Sequence, residues 1–378
     1  APIESPRVFS YPLNTKVGHI TSGLGCPNGC DFCCTSHFFN RKYVPFVRSG
    51  KELYDTIRLM ERKAMEAGEE LSGFIVIDED FFIHAKRARE FLACVREGGR
   101  PLSIMGFGSV RGLSQFTADE IAEMGFDILW TAFEGSGSGY DKLKGQDLNA
   151  LYQGLKSRGV AILTSMIVGF PFQDRSQVLE DFRTLTELGP ALWQILIYFA
   201  FPGTPLHRQV IAEGRYLPAY QEKPDYRTFD GFSMHFKHPR YTPAELENLQ
   251  RELYRKAFEF LGPSLIRVVR TWFEGYCNLK NSPNPLLRGR AERMRDYVRS
   301  AIPGLYPAIF FGPNANRRNE ARGFLKDIQK EMGPVTAKER LFGWATVPFS
   351  AWTSLADRLN VFQQPRLLRI DHKKDGQS

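Results

Sequence analysis

Val17-Gly-His-Ile-Thr-Ser22 runs directly into Gly23-Leu-Gly-Cys26-Pro-Asn-Gly-Cys30-Asp-Phe-Cys33-Cys34. A short apolar strand therefore delivers the chain into a loop with four cysteines in nine residues. Outward from this loop a rhythm begins. Lys51–Ala67 has helical spacing (Leu53, Ile57, Met60, Ala64), Phe74–Asp78 reads as a strand ending in acids, and Ala85–Arg96 as a helix. Leu102–Phe107 is the next strand. Thr117-Ala-Asp-Glu120 is a capping box opening a short helix. Ile128–Phe133, Val160–Val168 and Trp193–Phe201 read as strands. Leu148–Ser157, a helix from the capping-type start Asp174-Arg-Ser-Gln177 to Leu188, and Pro205–Glu213 read as helices. Strands apolar on both faces, alternating with amphipathic helices, predict a parallel sheet covered by helices. Periodicity leaves open whether that sheet is open and doubly wound or curled into a barrel. In both, functional groups gather at the C-terminal ends of the strands.

After Gly214 the rhythm stops. Residues 215–241 are loop-like, Thr242-Pro-Ala-Glu245 starts a helix reaching about Leu261, and the remainder reads as helical and basic. The expected organisation is a linker over 1–18, a core over 19–215 and a C-terminal helical region over 216–378. From Arg240 to Ser378 there are 24 Lys/Arg against 14 Asp/Glu, a balance of +10; the rest carries 26 against 28, or −2. A basic C-terminal region can meet nucleic acid, anionic lipid or an acidic partner, or be a solvated surface. Its charges are mixed with acids and carry no RNA-binding signature, which argues against nucleic acid. No apolar run reaches the ~18 residues of a membrane span. The longest, Ala191–Phe201, is broken by Gln194. The first residues form no secretory signal and lack an initiator Met, as a piece of a longer protein would. Clustered cysteines without an export signal predict a reduced, cytoplasmic setting and a metal or cluster site.

Cys26, Cys30 and Cys33 are spaced C-x3-C-x2-C. Three thiolates in one loop can hold three irons of a cubane and leave the fourth open to a small-molecule ligand. A zinc site of Cys26, Cys30, Cys33 and His37 is the competing reading. Cys34 offers a second register, and is read as a packed thiol beside the cluster. The spacing, with Phe32 just before the last cysteine, resembles the radical S-adenosylmethionine (SAM) superfamily. The Asp78-Glu-Asp80 strand end and Phe201-Pro-Gly-Thr-Pro205 resemble most the radical SAM domain of cobalamin-dependent members. The resemblance covers about residues 17–215.

That resemblance implies an α/β fold, a partial (β/α)6 TIM-like barrel with a mainly helical C-terminal extension. It implies a [4Fe–4S] cluster on Cys26, Cys30 and Cys33 whose open iron is chelated by SAM. Reductive cleavage then gives a 5′-deoxyadenosyl radical that attacks an unactivated carbon, with an electron donor of flavodoxin or ferredoxin type. By the same resemblance Phe32 lies against adenine, Asp78, Glu79 and Asp80 meet the SAM amino end, Glu134 the ribose or methionine end, and Gly169 the adenine. Arg111 is a candidate for the SAM carboxylate. Cobalamin as a further cofactor, in a methyltransferase, follows from the subgroup, although no Asp-x-His-x-x-Gly loop is present. Cobalamin-independent rearrangement, cyclisation or dehydrogenation, and a zinc- or cluster-stabilised binding protein, are the alternatives.

Several features have plainer readings beside these. The acids at 78–80 also suit a helix N-terminus. Gly106-x-Gly108-x3-Gly112 has the wrong spacing and place for a dinucleotide loop. Phe229, Phe232, Phe236, Trp272, Phe273 and Tyr276 could line an apolar pocket for a small or lipid-like substrate, or pack the core. Cys277 reads as a buried thiol or a relay residue.

Overall fold

The computed structural model describes residues 7–8, 11–12, 16–135, 137, 145–221, 228–359 and 361. Most of the expected linker over 1–18 lies outside them. The strand leading to the cysteines, β1 (Lys16–Thr21), is followed by β2 (Leu71–Ile77), β3 (Ile104–Phe107), β4 (Phe126–Ala132), β5 (Ala161–Val168) and β6 (Leu192–Ile197). They form one six-stranded sheet whose spatial order is their sequence order, and every pair is parallel. A doubly wound sheet reverses its order at a switch point; a sheet that advances one strand at a time does not. This is the partial (β/α)6 barrel.

The helices are α1 (Cys34–Phe38), α2 (Gly50–Glu66), α3 (Ala85–Gly98), α4 (Val110–Leu113), α5 (Ala118–Glu123), α6 (Leu148–Ser157), α7 (Arg175–Leu188) and α8 (Pro205–Ala212). They continue with α9 (Pro243–Leu261), α10 (Ser264–Leu279), α11 (Pro285–Phe311), α12 (Ala315–Met332) and α13 (Ala337–Arg358). The capping boxes at Thr117, Asp174 and Thr242 are formed, each side chain bonding the third backbone N–H while Glu120, Gln177 or Glu245 reaches back. A small hairpin pairs Gly23–Leu24 with Val44–Pro45 around the cysteine loop.

Side chains alternate between the two faces of each strand. On the helix-covered face, Phe74 and Val76 of β2 pack with Leu53 and Ile57 of α2 and with Phe91 and Val95 of α3. Further along, Met166 and Val168 of β5 and Ile195 and Ile197 of β6 pack with Phe182 and Leu185 of α7 and Leu246, Leu249 and Leu253 of α9. Each fully buried side chain of this kind contributes about 1.5–3 kcal/mol. The opposite face keeps Trp130, Ala132, Ser165, Gln194 and Leu196 for the lumen.

The free edge of β6 is finished by two side chains and a loop carbonyl rather than by another strand. Ile195 N–H donates to Tyr254 Oη (2.8 Å), Gln250 Nε2 donates to Ile195 O (2.7 Å), and Ile197 N–H bonds Gly231 O (2.8 Å). An edge covered in this way offers no template to another chain. Ser22, just past β1, is fully buried, and its Oγ donates to Asp78 Oδ2 (2.6 Å) at the end of β2.

By spatial contact the chain falls into two units, residues 1–300 and 301–378. Helices α9 and α10 therefore lie in the same unit as the barrel, and the C-terminal unit holds α12 and α13. Among the described residues, no helix is long and apolar enough to cross a membrane.

Candidate active site

A cavity of about 320 Å³ opens at the C-terminal ends of the strands, and all six strands or the loops after them line it. The loop after β1 contributes Cys26, Cys30, Phe32 and Cys33; the end of β2, Glu79 and Asp80; β3 and its loop, Phe107, Gly108 and Ser109. Strand β4 and its end contribute Trp130, Ala132 and Glu134, β5 contributes Ser165 and Ile167, and β6 Gln194 and Leu196.

The cysteine loop presents its three spaced thiols to this cavity. Cys26 and Cys30 are buried, Cys33 is half-buried, and Cys34 begins α1 outside the lining. Burial raises the Cys34 thiol above its ordinary range, helped by Cys33 and Glu79 nearby. Asn28 Nδ2 donates to Cys26 Sγ at 3.2 Å. His37 spends its Nε2–H on Cys30 O at 3.0 Å, the tautomer a carbonyl acceptor requires. Among the described residues, no three of His, Cys, Asp and Glu converge on one point as ligands of a single ion. His37, the fourth ligand of the zinc reading, is bonded to a carbonyl of the cysteine loop.

The three consecutive acids at the end of β2 have three different environments. Asp78 is buried and does not line the cavity. Its Oδ2 accepts from Ser22 Oγ (2.6 Å), Tyr43 Oη (2.8 Å) and Arg87 Nη2 (2.5 Å), and Arg87 also reaches Tyr43. Of the three acids expected at the SAM amino end, Asp78 is the one already held by a buried cation. Asp80 is buried at the cavity wall. Its Oδ1 accepts the Ser109 N–H (3.0 Å) and its Oδ2 the Asn28 amide (3.4 Å). Gly112 makes room for it, since a Cβ there would stand 2.9 Å from Asp80 Oδ1. Glu79 faces the cavity with Thr35 as hydrogen-bond partner, and burial raises its carboxyl above the usual range.

Arg111 is exposed on α4 and outside the lining, but its Nη2 donates to Asn28 Oδ1 (2.9 Å). It therefore acts through Asn28, fixing the amide that serves both Cys26 and Asp80. Glu134 is buried at the end of β4 and takes φ 59°, the left-handed region in which a non-glycine residue is uncommon. Gly135 follows at φ 117°. Such backbone strain concentrates at functional sites. Phe32 packs edge-on against Tyr198, 5.8 Å between ring centroids, and keeps a face on the cavity. Gly169 is not in the lining. At φ 89° it turns the chain after β5 where a Cβ would meet Leu246 at 2.6 Å, so a side chain here would collide with α9.

The sequence reading missed the lumen row. Ala132, Ser165 and Gln194 stand level across β4, β5 and β6 by strand register. One step down, Trp130 Nε1 donates to Ser165 Oγ (2.6 Å), and its ring stacks on Phe107 at 5.4 Å. The signal was present as polar residues inside apolar strands, Gln194 above all. The C-terminal aromatics do not line this cavity. Phe236 packs with Tyr198 and Tyr216, Phe229 stacks on His235, and Trp272 lies against Tyr297. Cys277 on α10 is half-buried with its thiol raised by burial.

No family model matches the chain. An uncharacterized methyltransferase from Pyrococcus horikoshii is 25% identical over 243 residues, 63% of this chain and 50% of that protein. Among solved structures, the radical SAM methyltransferase TsrM from Kitasatospora setae, with tryptophan substrate and a SAM analogue (aza-SAM) bound, superposes with a TM-score of 0.50 at 16% identity. The match covers 75% of this chain and 63% of that one. The same enzyme with cobalamin and a [4Fe–4S] cluster gives a TM-score of 0.49 at 16% identity, over 76% and 62%. The chain thus spans about half the length of the curated relative and less than two thirds of the solved one. The barrel fold is shared with a radical SAM methyltransferase.

Proposed function

We propose that this chain is a radical SAM enzyme that functionalises an unactivated carbon, with methyl transfer as the reaction class. The observation that carries the proposal is the meeting of Cys26, Cys30 and Cys33 with Glu79, Asp80 and Glu134 around one cavity at the strand ends. A [4Fe–4S] cluster fits the donor set: three thiols on the wall, one already accepting an N–H from Asn28, as cluster sulfurs do. Bound there with SAM, it would supply one-electron reductive cleavage of the sulfonium. The protein's part is to bind and orient. Cys26, Cys30 and Cys33 would hold the cluster, and Asn28, fixed by Arg111, would hold Cys26. Asp80 and Glu79 would receive the SAM ammonium, an attraction stronger in a part-buried site than in water. Phe32 would flank the adenine and Glu134 the ribose or methionine end.

The lumen below, with the Phe107–Trp130 stack and the Ser165–Gln194 ledge, suits a small, partly apolar substrate offering hydrogen-bonding groups. Methyl transfer rests on the likeness to methyltransferases, and cobalamin is the cofactor proposed for that branch. The clustering of four cysteines in one loop suits a reducing, cytoplasmic setting with a flavodoxin- or ferredoxin-type donor.

The test is anaerobic reconstitution with iron and sulfide, reduction by dithionite and assay of 5′-deoxyadenosine from SAM. About four irons per chain and SAM cleavage are expected, both lost in Cys30→Ala. Bound zinc without iron uptake or cleavage would reject the proposal. Repeating the assay with cobalamin, following methyl transfer from labelled SAM to cobalamin, tests the methylase branch by itself.

A further inference from the structure

Helix α13 of the C-terminal unit is packed the wrong way round for a core helix. Its inward contacts are made largely by small residues, with the Trp344 ring lying against Tyr306 (5.7 Å) and Phe310 (5.5 Å). Gly343 is buried, and a Cβ there would stand 2.5 Å from the Tyr306 ring; Thr346 Oγ1 donates to Pro303 O (3.0 Å). Its large apolar residues point to solvent: Leu341 is 71% exposed, Trp352 56% and Leu355 50%. At 100° per residue these fall with Pro348 on one stripe. Exposed Phe342 and Phe349 on one side widen it to about 140°. A coiled-coil seam is narrower and flanked by charges; here that flank is aromatic.

We propose that this face docks on an anionic bilayer surface, lying in the interface rather than crossing it. Two features choose this occupant. The stripe carries Trp, Phe and Leu, the side chains that settle at the headgroup boundary. The unit around it is basic: residues 301–356 contain 7 Lys/Arg against 4 Asp/Glu, and exposed Lys338 and Arg340 stand at the start of the helix. A second copy of the chain meeting this face would bring two like charges together, whereas anionic headgroups complement it.

The test is flotation of the whole chain with phosphatidylcholine vesicles, with and without phosphatidylglycerol. The wild type is expected to float with the anionic vesicles, less with the neutral ones, and less again as salt is raised. Trp352→Asp combined with Leu355→Asp is expected to lower partitioning at least about tenfold. Ser350→Asp, on the other side of the helix, leaves partitioning unchanged. Unaltered circular dichroism would show that the double variant is folded. No flotation of the wild type with either vesicle overturns the proposal. So does a concentration-dependent dimer that the double variant abolishes, which would make the face a self-interface.

Discussion

The two ends of the barrel treat buried carboxylates in opposite ways. At the N-terminal end of the strands, Asp127 of β4 is paired with Arg290 of α11 (2.6 Å), with Arg293 at 3.8 Å. Arg290 is 1% exposed and also donates to the carbonyls of Phe126 (2.7 Å), Arg158 (3.1 Å) and Gly159 (3.1 Å). Burial pushes its guanidinium down to about 10, the expected direction for a cation taken out of water. At the C-terminal end Asp78 is neutralised in the same manner by Arg87, but Asp80 and Glu79 are not. Among the described residues, these two have neutral donors and no Lys or Arg ion pair. One end spends its cations on holding the strands, and the other leaves negative charge facing a cavity. Charge left unpaired in a folded protein is held there against a cost, and a cationic ligand is what would offset it.

The comparison breaks most visibly at the closed end. Arg290→Ala should destabilise by about 3–5 kcal/mol, because buried Asp127 loses its close cation and three carbonyls lose their donor. Chemical denaturation measures this, and iron content per folded chain should not change. Asp78→Asn should cost about 3 kcal/mol by stranding Arg87, with little effect on SAM affinity of the folded fraction. Asp80→Asn should show the reverse, a roughly tenfold to hundredfold loss of SAM affinity with a small change in melting. Equal effects of the two substitutions on both readouts would remove the distinction drawn between them.

Glu79 gives a pH-dependent form of the same contrast. Its carboxyl binds a proton more tightly folded than unfolded, so its contribution favours the fold at acid pH. That contribution is lost as pH rises from the ordinary glutamate range through the raised value. Melting curves between about pH 4 and about pH 8 should therefore fall more steeply for the wild type than for Glu79→Gln. The smallest effect belongs to Arg111→Ala. It is exposed and touches the site only through Asn28, so stability should hold within about 0.5 kcal/mol. The reconstituted cluster's electron paramagnetic resonance signal should shift as Asn28 loses its anchor.

The fold was largely legible because its signals are local. Helix 148–157 and the three capping boxes are read from spacing alone, and the structure places them as expected. Strand ends were less so. The apolar run to Phe201 suggested a strand, but β6 stops at Ile197. Tyr198 and Ala200 are apolar because they are buried with Phe170, Leu206 and Phe236. Hydrophobicity reports burial and not pairing. The two-residue hairpin strands have no period to detect.

Within the site, clustering exposed the cysteines, but nothing in Asp-Glu-Asp says which acid a distant arginine will claim. Arg87 lies nine residues beyond Asp78, on a helix whose rotation only packing decides. Likewise nothing beside Gly169 says that Leu246, from a helix well outside the motif, stands where its Cβ would be.

The left-handed backbone at Glu134 has a consequence for how this position can change over time. The conformation favours glycine first and asparagine next, whatever the neighbours do. A lineage that lost its chemistry would drift at this site toward those two residues, gaining stability with each step. An acid kept there against that slope makes position 134 a gauge of whether a given descendant of this fold is still under selection for catalysis.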